Sequence, residues 1–179
     1  NGYLLDQFLR DGSNARTDAY GGSIANRARL TLEVVEAVVG VWGAARTGIR
    51  LSPLNPNNDM ADADPKATFK YVARELKRFG LAYVHVLEPV ATPAQSQVLN
   101  VIKAACGAPV IANNGYTMET AQAAIREGRV DAVAFGKLFI ANPDLPRRLR
   151  TGGPLNDWDM KTFYGGGAAG YTDYPAMTA

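Results

Sequence analysis

Pro109-Val110-Ile111-Ala112-Asn113-Asn114-Gly115 and Val130-Asp131-Ala132-Val133-Ala134-Phe135-Gly136-Lys137 decide the fold class. Each is a short apolar run that stops at polar residues and glycine. Runs with little alternation are expected of strands covered on both faces, as in parallel sheets. Thr47-Gly48-Ile49-Arg50-Leu51-Ser52, halted by Pro53, reads the same way. So does Leu81-Ala82-Tyr83-Val84-His85-Val86-Leu87, halted near Glu88-Pro89.

Helical patterns fill the gaps. Residues 27–41 carry Leu30, Val34, Val35, Val38 and Val41 at helical spacing, with Gly43 as the stop. Asp64-Pro65 supplies an N-cap and a first-turn proline, and Phe69, Val72, Ala73, Leu76 and Phe79 form the stripe that Gly80 ends. Thr92-Pro93 opens another helix in the same manner. Thr117 caps one carrying Ala121, Ala124 and Ile125, ending at Gly128. Asn142-Pro143 opens a last short helix with Leu145 and Leu149.

This β-α repeat predicts a parallel sheet with helical crossovers. Four strands are visible, where a closed (β/α)8 barrel has eight in roughly 250 residues. An open doubly wound sheet competes, but no G-x-G-x-x-G follows any strand. The loops at 113–115 and 136–137 favour the barrel, since such barrels often hold phosphate on the loops after the last two strands. Glycine lets backbone N–H groups approach an anion, and Lys137 adds a point charge. A Gly-Lys pair at a strand end also reads as a plain turn.

The 179 residues suffice for one domain with a real core. A net charge of +2 gives no case for a nucleic-acid or membrane partner. No apolar run is long enough for a spanning helix. The single cysteine, Cys106, cannot form an intrachain disulfide or a Cys-rich metal site, so no metal is expected. It reads as a small buried thiol closing an amphipathic helix. That usage fits a reducing compartment, and the expected location is cytoplasmic.

The chain opens on Asn1-Gly2-Tyr3-Leu4-Leu5-Asp6-Gln7-Phe8-Leu9, followed by Asn14-Ala15-Arg16-Thr17-Asp18-Ala19-Tyr20-Gly21-Gly22-Ser23-Ile24 and Asn26-Arg27. With Gly48-Ile49-Arg50-Leu51-Ser52-Pro53, Val84-His85-Val86-Leu87-Glu88-Pro89 and Phe135-Gly136-Lys137-Leu138-Phe139-Ile140-Ala141-Asn142-Pro143, it closely resembles the Old Yellow Enzyme family of flavin-dependent ene-reductases. The resemblance continues through Thr162-Phe163-Tyr164 and Gly170-Tyr171-Thr172-Asp173-Tyr174-Pro175. The matches run in family order over residues 1–179 and correspond to the C-terminal half of a member. They imply one domain of α/β class, strands five to eight of an FMN-binding TIM barrel. A separate N-terminal half-barrel polypeptide would complete it.

The resemblance implies an activity: NADPH or NADH reduces FMN, and hydride then passes to the β-carbon of an activated alkene such as an enone, maleimide or nitroalkene. Tyr3 matches the proton donor to the α-carbon. A phenol can supply that proton as a general acid. Asn1 matches one of two donors to the substrate oxygen, where an amide stabilises developing negative charge. The other donor would lie three positions before Asn1. Arg50 matches the cation beside N1 and O2 of the flavin, tuning its potential. Asn114, Gly115, Gly136 and Lys137 match the phosphate cradle. Lys137 stands where many members have arginine, and Asn114 where glycine is frequent. Phe163 matches an aromatic at the flavin edge and Tyr164 one at the substrate pocket, though core or tail packing is an alternative for both. His85 reads as structural.

Two other readings stand beside the ene-reductase: a non-catalytic half-barrel fragment, and another phosphate-binding barrel enzyme. The iron–sulfur dienoyl-CoA reductase branch of the flavin family needs a cysteine cluster that one cysteine does not supply.

Overall fold

The structure, a computed structural model, describes residues 1–88 and 97–178. Thr92-Pro93, expected to open a helix, lies outside the described residues. The described chain forms two compact units, Asn1–Val133 and Ala134–Ala179.

The first unit begins with a short helix α1 (Leu4–Leu9) and a long helix α2 (Ile24–Trp42). Ser23 caps α2 by accepting from the Asn26 N–H, and Gly43 at φ 80° ends it. Strand β1 (Gly48–Leu51) leads to α3 (Pro65–Leu76), where Asp64 accepts from Ala67 N–H and Pro65 sits at the first helical position. Strand β2 (Tyr83–Leu87) follows, then α4 (Gln97–Cys106), β3 (Val110–Asn113) and α5 (Met118–Arg126). Thr117 and Thr120 close a reciprocal capping box at the start of α5. Strand β4 (Ala132–Ala134) completes a four-stranded sheet in the order β1-β2-β3-β4. All four expected strands are present, and Cys106 is buried at the end of α4 as expected.

The sheet distinguishes the two architectures that the sequence left open. Paired residues in parallel register share a face. Ile49, Leu51, Val84, Val86, Val110 and Ala112 lie on one face, and all but Ile49 are buried. The opposite face carries Gly48, Arg50, Tyr83, His85, Leu87, Ile111 and Asn113, which are half-buried or exposed. Sequential parallel strands with one covered face are singly wound, like an arc of a barrel wall, whereas a doubly wound sheet is covered on both faces. Among the described residues, cover is found on one face only. The strands are apolar enough for cover on both, but the second face is open.

The expectation for helix α2 is corrected. Its buried residues are Arg27, Ala28, Thr31, Leu32 and Val35, while Val34, Val38, Val41 and Trp42 are exposed. Periodicity identified an apolar stripe but not what covers it.

The second unit holds α6 (Lys137–Ala141) and α7 (Leu145–Thr151). Residue 144, not 142, is the N-cap of α7. Asn142 is instead fully buried, its Nδ2 donating to the Leu138 carbonyl at 2.8 Å. Arg148 is the hub here: its guanidinium donates to the Asp144 carboxylate and to the carbonyls of Pro154 and Pro175.

Glu88 follows β2 and is 3% exposed. Its Oε2 accepts from the Leu99 N–H at 2.8 Å, and its Oε1 has no partner among the described residues. Burial pushes its pKa from the ordinary 4.5 up to about 7. The fold thus binds this proton more tightly than the unfolded chain does. The contribution to stability is fully present below pH 4.5 and is lost as pH rises through about 7. Glu88→Gln is expected to abolish that slope and to make the protein more stable than wild type at ~pH 8. Urea midpoints measured at successive pH values check this.

Candidate functional site

The opening loop is held by a buried charge cluster. Asp6 sits on α1, one turn after Gly2. Its Oδ2 accepts from the Gly2 N–H at 2.8 Å and from the Ser52 hydroxyl at 3.2 Å. Its Oδ1 accepts from Arg10 Nε at 3.1 Å, and Arg10 Nη2 donates to the Ser52 carbonyl. Asp6, Arg10 and Ser52 are all buried. The Arg10 guanidinium also lies 5.2 Å from the Phe69 ring centroid. One carboxylate therefore ties the loop, α1 and the end of β1 together, with both of its oxygens accepting hydrogen bonds.

Gly2 is required sterically. It sits at φ 75°, and a Cβ there would clash with the Asn57 carbonyl. Asn58 Nδ2 closes the loop from outside by donating to the Gly2 carbonyl at 2.9 Å. Asn14 and Arg27 hold the chain beyond α1. Asn14 Nδ2 donates to the carbonyls of Phe8 and Tyr20, and Arg27 reaches the carbonyls of Leu9 and Gly22.

This scaffold brings Asn1, Tyr3 and Arg50 onto the wall of one cavity of about 280 Å³, with Leu5, Leu9, Thr31 and Phe69 among its apolar and polar lining. Tyr3 is 73% exposed, so its phenol is accessible. Arg50 points from the open sheet face, and Nη2 donates to Asn113 Oδ1 at 3.0 Å. It has no carboxylate partner among the described residues, so its charge is uncompensated. His85, beside it in register, has a lowered pKa, from burial first and the Arg50 charge second. A neutral imidazole on a strand fits its structural reading.

Asn114 and Gly115 lie at the C-terminal end of β3 and do not line that cavity. Both have positive φ, 90° and 80°. This explains why glycine suits position 114, and asparagine is among the residues that best tolerate the left-handed region. Among the described residues their N–H groups have no acceptor, which suits an anion.

The remaining candidates belong to the second unit. Gly136 precedes α6, and a Cβ there would meet nothing within 4 Å, so its backbone faces open space. Lys137 is exposed, with Nζ 4.9 Å from the Trp158 ring centroid. Phe163 packs on the same Trp158, ring centroids 6.0 Å apart, so its side chain has a packing role. Tyr164 is 94% exposed. Sequence reasoning missed Trp158, and missed Asp6, Arg10 and Ser52. The Asp6–Arg10 spacing of four on a helix was the available signal, but Ser52 lies 46 residues away. Among the described residues, no group of three or more His, Cys, Asp or Glu side chains could hold a metal, and no helix is long and apolar enough to cross a membrane.

Comparison with known proteins bears on this geometry. The family model described as NADH:flavin oxidoreductase / NADH oxidase matches residues 1–156. The chain is 43% identical over 184 residues to 12-oxophytodienoate reductase 1 of Oryza sativa subsp. japonica, covering 99% of this chain and 48% of that protein. It is 42% identical over 183 residues to 12-oxophytodienoate reductase 2 of Arabidopsis thaliana, covering 99% and 49%. A solved structure of morphinone reductase in complex with tetrahydroNAD superposes with a TM-score of 0.91 at 48% identity, covering 98% of this chain and 48% of that one. The chain spans about half the length of the curated relatives it matches.

Removing Asp6 leaves Arg10 buried without its counter-charge, and breaking such a pair costs roughly 3–5 kcal/mol. Asp6→Ala is expected to lower the denaturation midpoint accordingly. Asp18→Asn, which breaks the exposed Arg16–Asp18 pair, is expected to move the midpoint little. Equilibrium urea unfolding of the two variants checks both.

Proposed function

Because the chain belongs to the NADH:flavin oxidoreductase / NADH oxidase family, the Old Yellow Enzyme family, we propose that it carries the proton-donor and phosphate end of an FMN-dependent ene-reductase. The observation that carries this reading is the meeting of Asn1, Tyr3 and Arg50 at one cavity, behind the Asp6 clamp.

FMN, when bound and reduced by NADPH or NADH, supplies the hydride that reaches the β-carbon of an activated alkene. Every other step belongs to the chain. Asn1 donates its amide N–H to the substrate oxygen, where negative charge gathers. Tyr3 gives its phenolic proton to the α-carbon: a C–H bond forms, the O–H bond breaks, and solvent reprotonates the phenolate. The exposure of Tyr3 gives water that access. Arg50 would help hold the flavin, its guanidinium supplying positive charge that stabilises the reduced form. Asn114, Gly115, Gly136 and Lys137 contribute donors to the phosphate. Each of the four is exposed, and Lys137 adds a cation. A lysine at 137 acts as a point charge and lacks the arginine fork. By the family resemblance, Phe163 would contribute to holding the flavin and Tyr164 to holding the substrate.

Residues 1–179 supply the C-terminal half of the barrel, and an N-terminal half-barrel pairs with it. Three features support this. β1 is an edge strand, and such edges invite pairing. The cavity runs along Ile49-Arg50-Leu51-Ser52 on that edge. Val34, Val38, Val41 and Trp42 leave an apolar face of α2 exposed.

Assembly with that half, loading with FMN and anaerobic spectroscopy test the proposal. The expected result is a yellow protein that NAD(P)H bleaches and that an enone, maleimide or nitroalkene recolours. A colourless protein, or a bleached one that no activated alkene recolours, would overturn it.

A further inference from the structure

Arg50 is a long flexible cation on the open face of the sheet, and a guanidinium side chain left free samples many rotamers. Its direction must be set by something. β1 pairs Arg50 with His85, and β2 pairs His85 with Ile111. Asn113 lies two residues beyond Ile111, so it shares that face at the C-terminal end of the sheet. Arg50 spans β2 to reach it: Nη2 donates to Asn113 Oδ1 at 3.0 Å, across 63 residues of sequence.

We propose that Asn113 is a positioning residue that aims the Arg50 guanidinium along the sheet's C-terminal edge and so sets how strongly this chain stabilises charge gained by a bound flavin. The inference rests on the role given to Arg50 above. The chemistry of residue 113 matters for two reasons. A carboxamide oxygen accepts from the guanidinium and restrains it, yet leaves its positive charge whole. An aspartate in its place would hold Arg50 equally well but cancel that charge.

The structure supplies a reporter that needs no flavin. His85 is the chain's one histidine. It stands beside Arg50 in register and feels its charge. With histidine isotopically labelled in this chain, its NMR titration follows the guanidinium. Arg50→Gln is expected to raise the His85 pKa. Asn113→Ala is expected to raise it as well, because the released guanidinium leaves the imidazole. The Arg50→Gln/Asn113→Ala double variant is expected to match Arg50→Gln alone. Asn113→Ser, whose hydroxyl is too short to reach, repeats the test should the alanine variant not fold.

In the flavin-loaded protein, Asn113→Ala is expected to weaken the preference for reduced over oxidised flavin about tenfold, making the midpoint ~30 mV more negative by the two-electron conversion. An equal His85 shift with and without Arg50, or no shift in either background, would overturn the proposal. Failure to bind flavin would overturn the functional reading and leave the His85 result standing. An unmoved His85 and midpoint in a yellow, active protein would overturn only the role of Asn113.

Discussion

The Asp6 carboxylate is the point at which three separate pieces of chain meet. It accepts from the Gly2 backbone, the Ser52 hydroxyl and Arg10, while Arg10 returns to the Ser52 carbonyl. A buried ion pair is a poor source of net stability, because desolvation offsets most of its attraction. Its value here is directional. Charge buried this deeply tolerates only the arrangement that satisfies every donor and acceptor. That arrangement fixes the loop bearing Asn1 and Tyr3 against the end of the strand bearing Arg50. Gly2 lets the loop pass close enough to be held, with its backbone at a φ that a larger residue adopts only under strain.

The sheet depends on the same junction. Strands β1, β2 and β3 pair in parallel and β4 follows in sequence order, with one buried face and one open face along β1 to β3. In a singly wound sheet, the C-terminal ends of all the strands lie on one side. Residues that follow different strands therefore gather there without being neighbours in sequence. Arg50 and Asn113 meet across β2 in this way. The open face carries a cation, a histidine and an asparagine beside Tyr83, Leu87 and Ile111. It is chemically mixed, unlike the uniformly aliphatic covered face.

Much of this was legible in the sequence. Short apolar runs ended by glycine or proline gave four strands, and Asp and Thr caps marked helix starts at Asp64 and Thr117. Helices α1 and α6 were not legible, since six and five residues are too few to show a period of 3.6. On α2 the valine stripe was real but open, because amphipathicity reveals a face and not its cover. The motif residues Asn1, Tyr3 and Arg50 could be read as a site only through family resemblance. Local sequence does not tell that Asp6 bonds to Ser52, or that Lys137 and Phe163 both lie against Trp158. Those contacts are products of tertiary folding.

Tyr3 is proposed to complete alkene reduction. Stopped-flow measurement of the two half-reactions in Tyr3→Phe, with the protein assembled and flavin-loaded, tests this most directly. Phenylalanine keeps the ring and removes only the transferable proton. Flavin reduction by NAD(P)H is expected at the wild-type rate, and reoxidation by an activated alkene slowed roughly 10²–10⁴-fold, the span of general acid catalysis. Wild-type reoxidation in Tyr3→Phe, with α-carbon protonation intact, would contradict it.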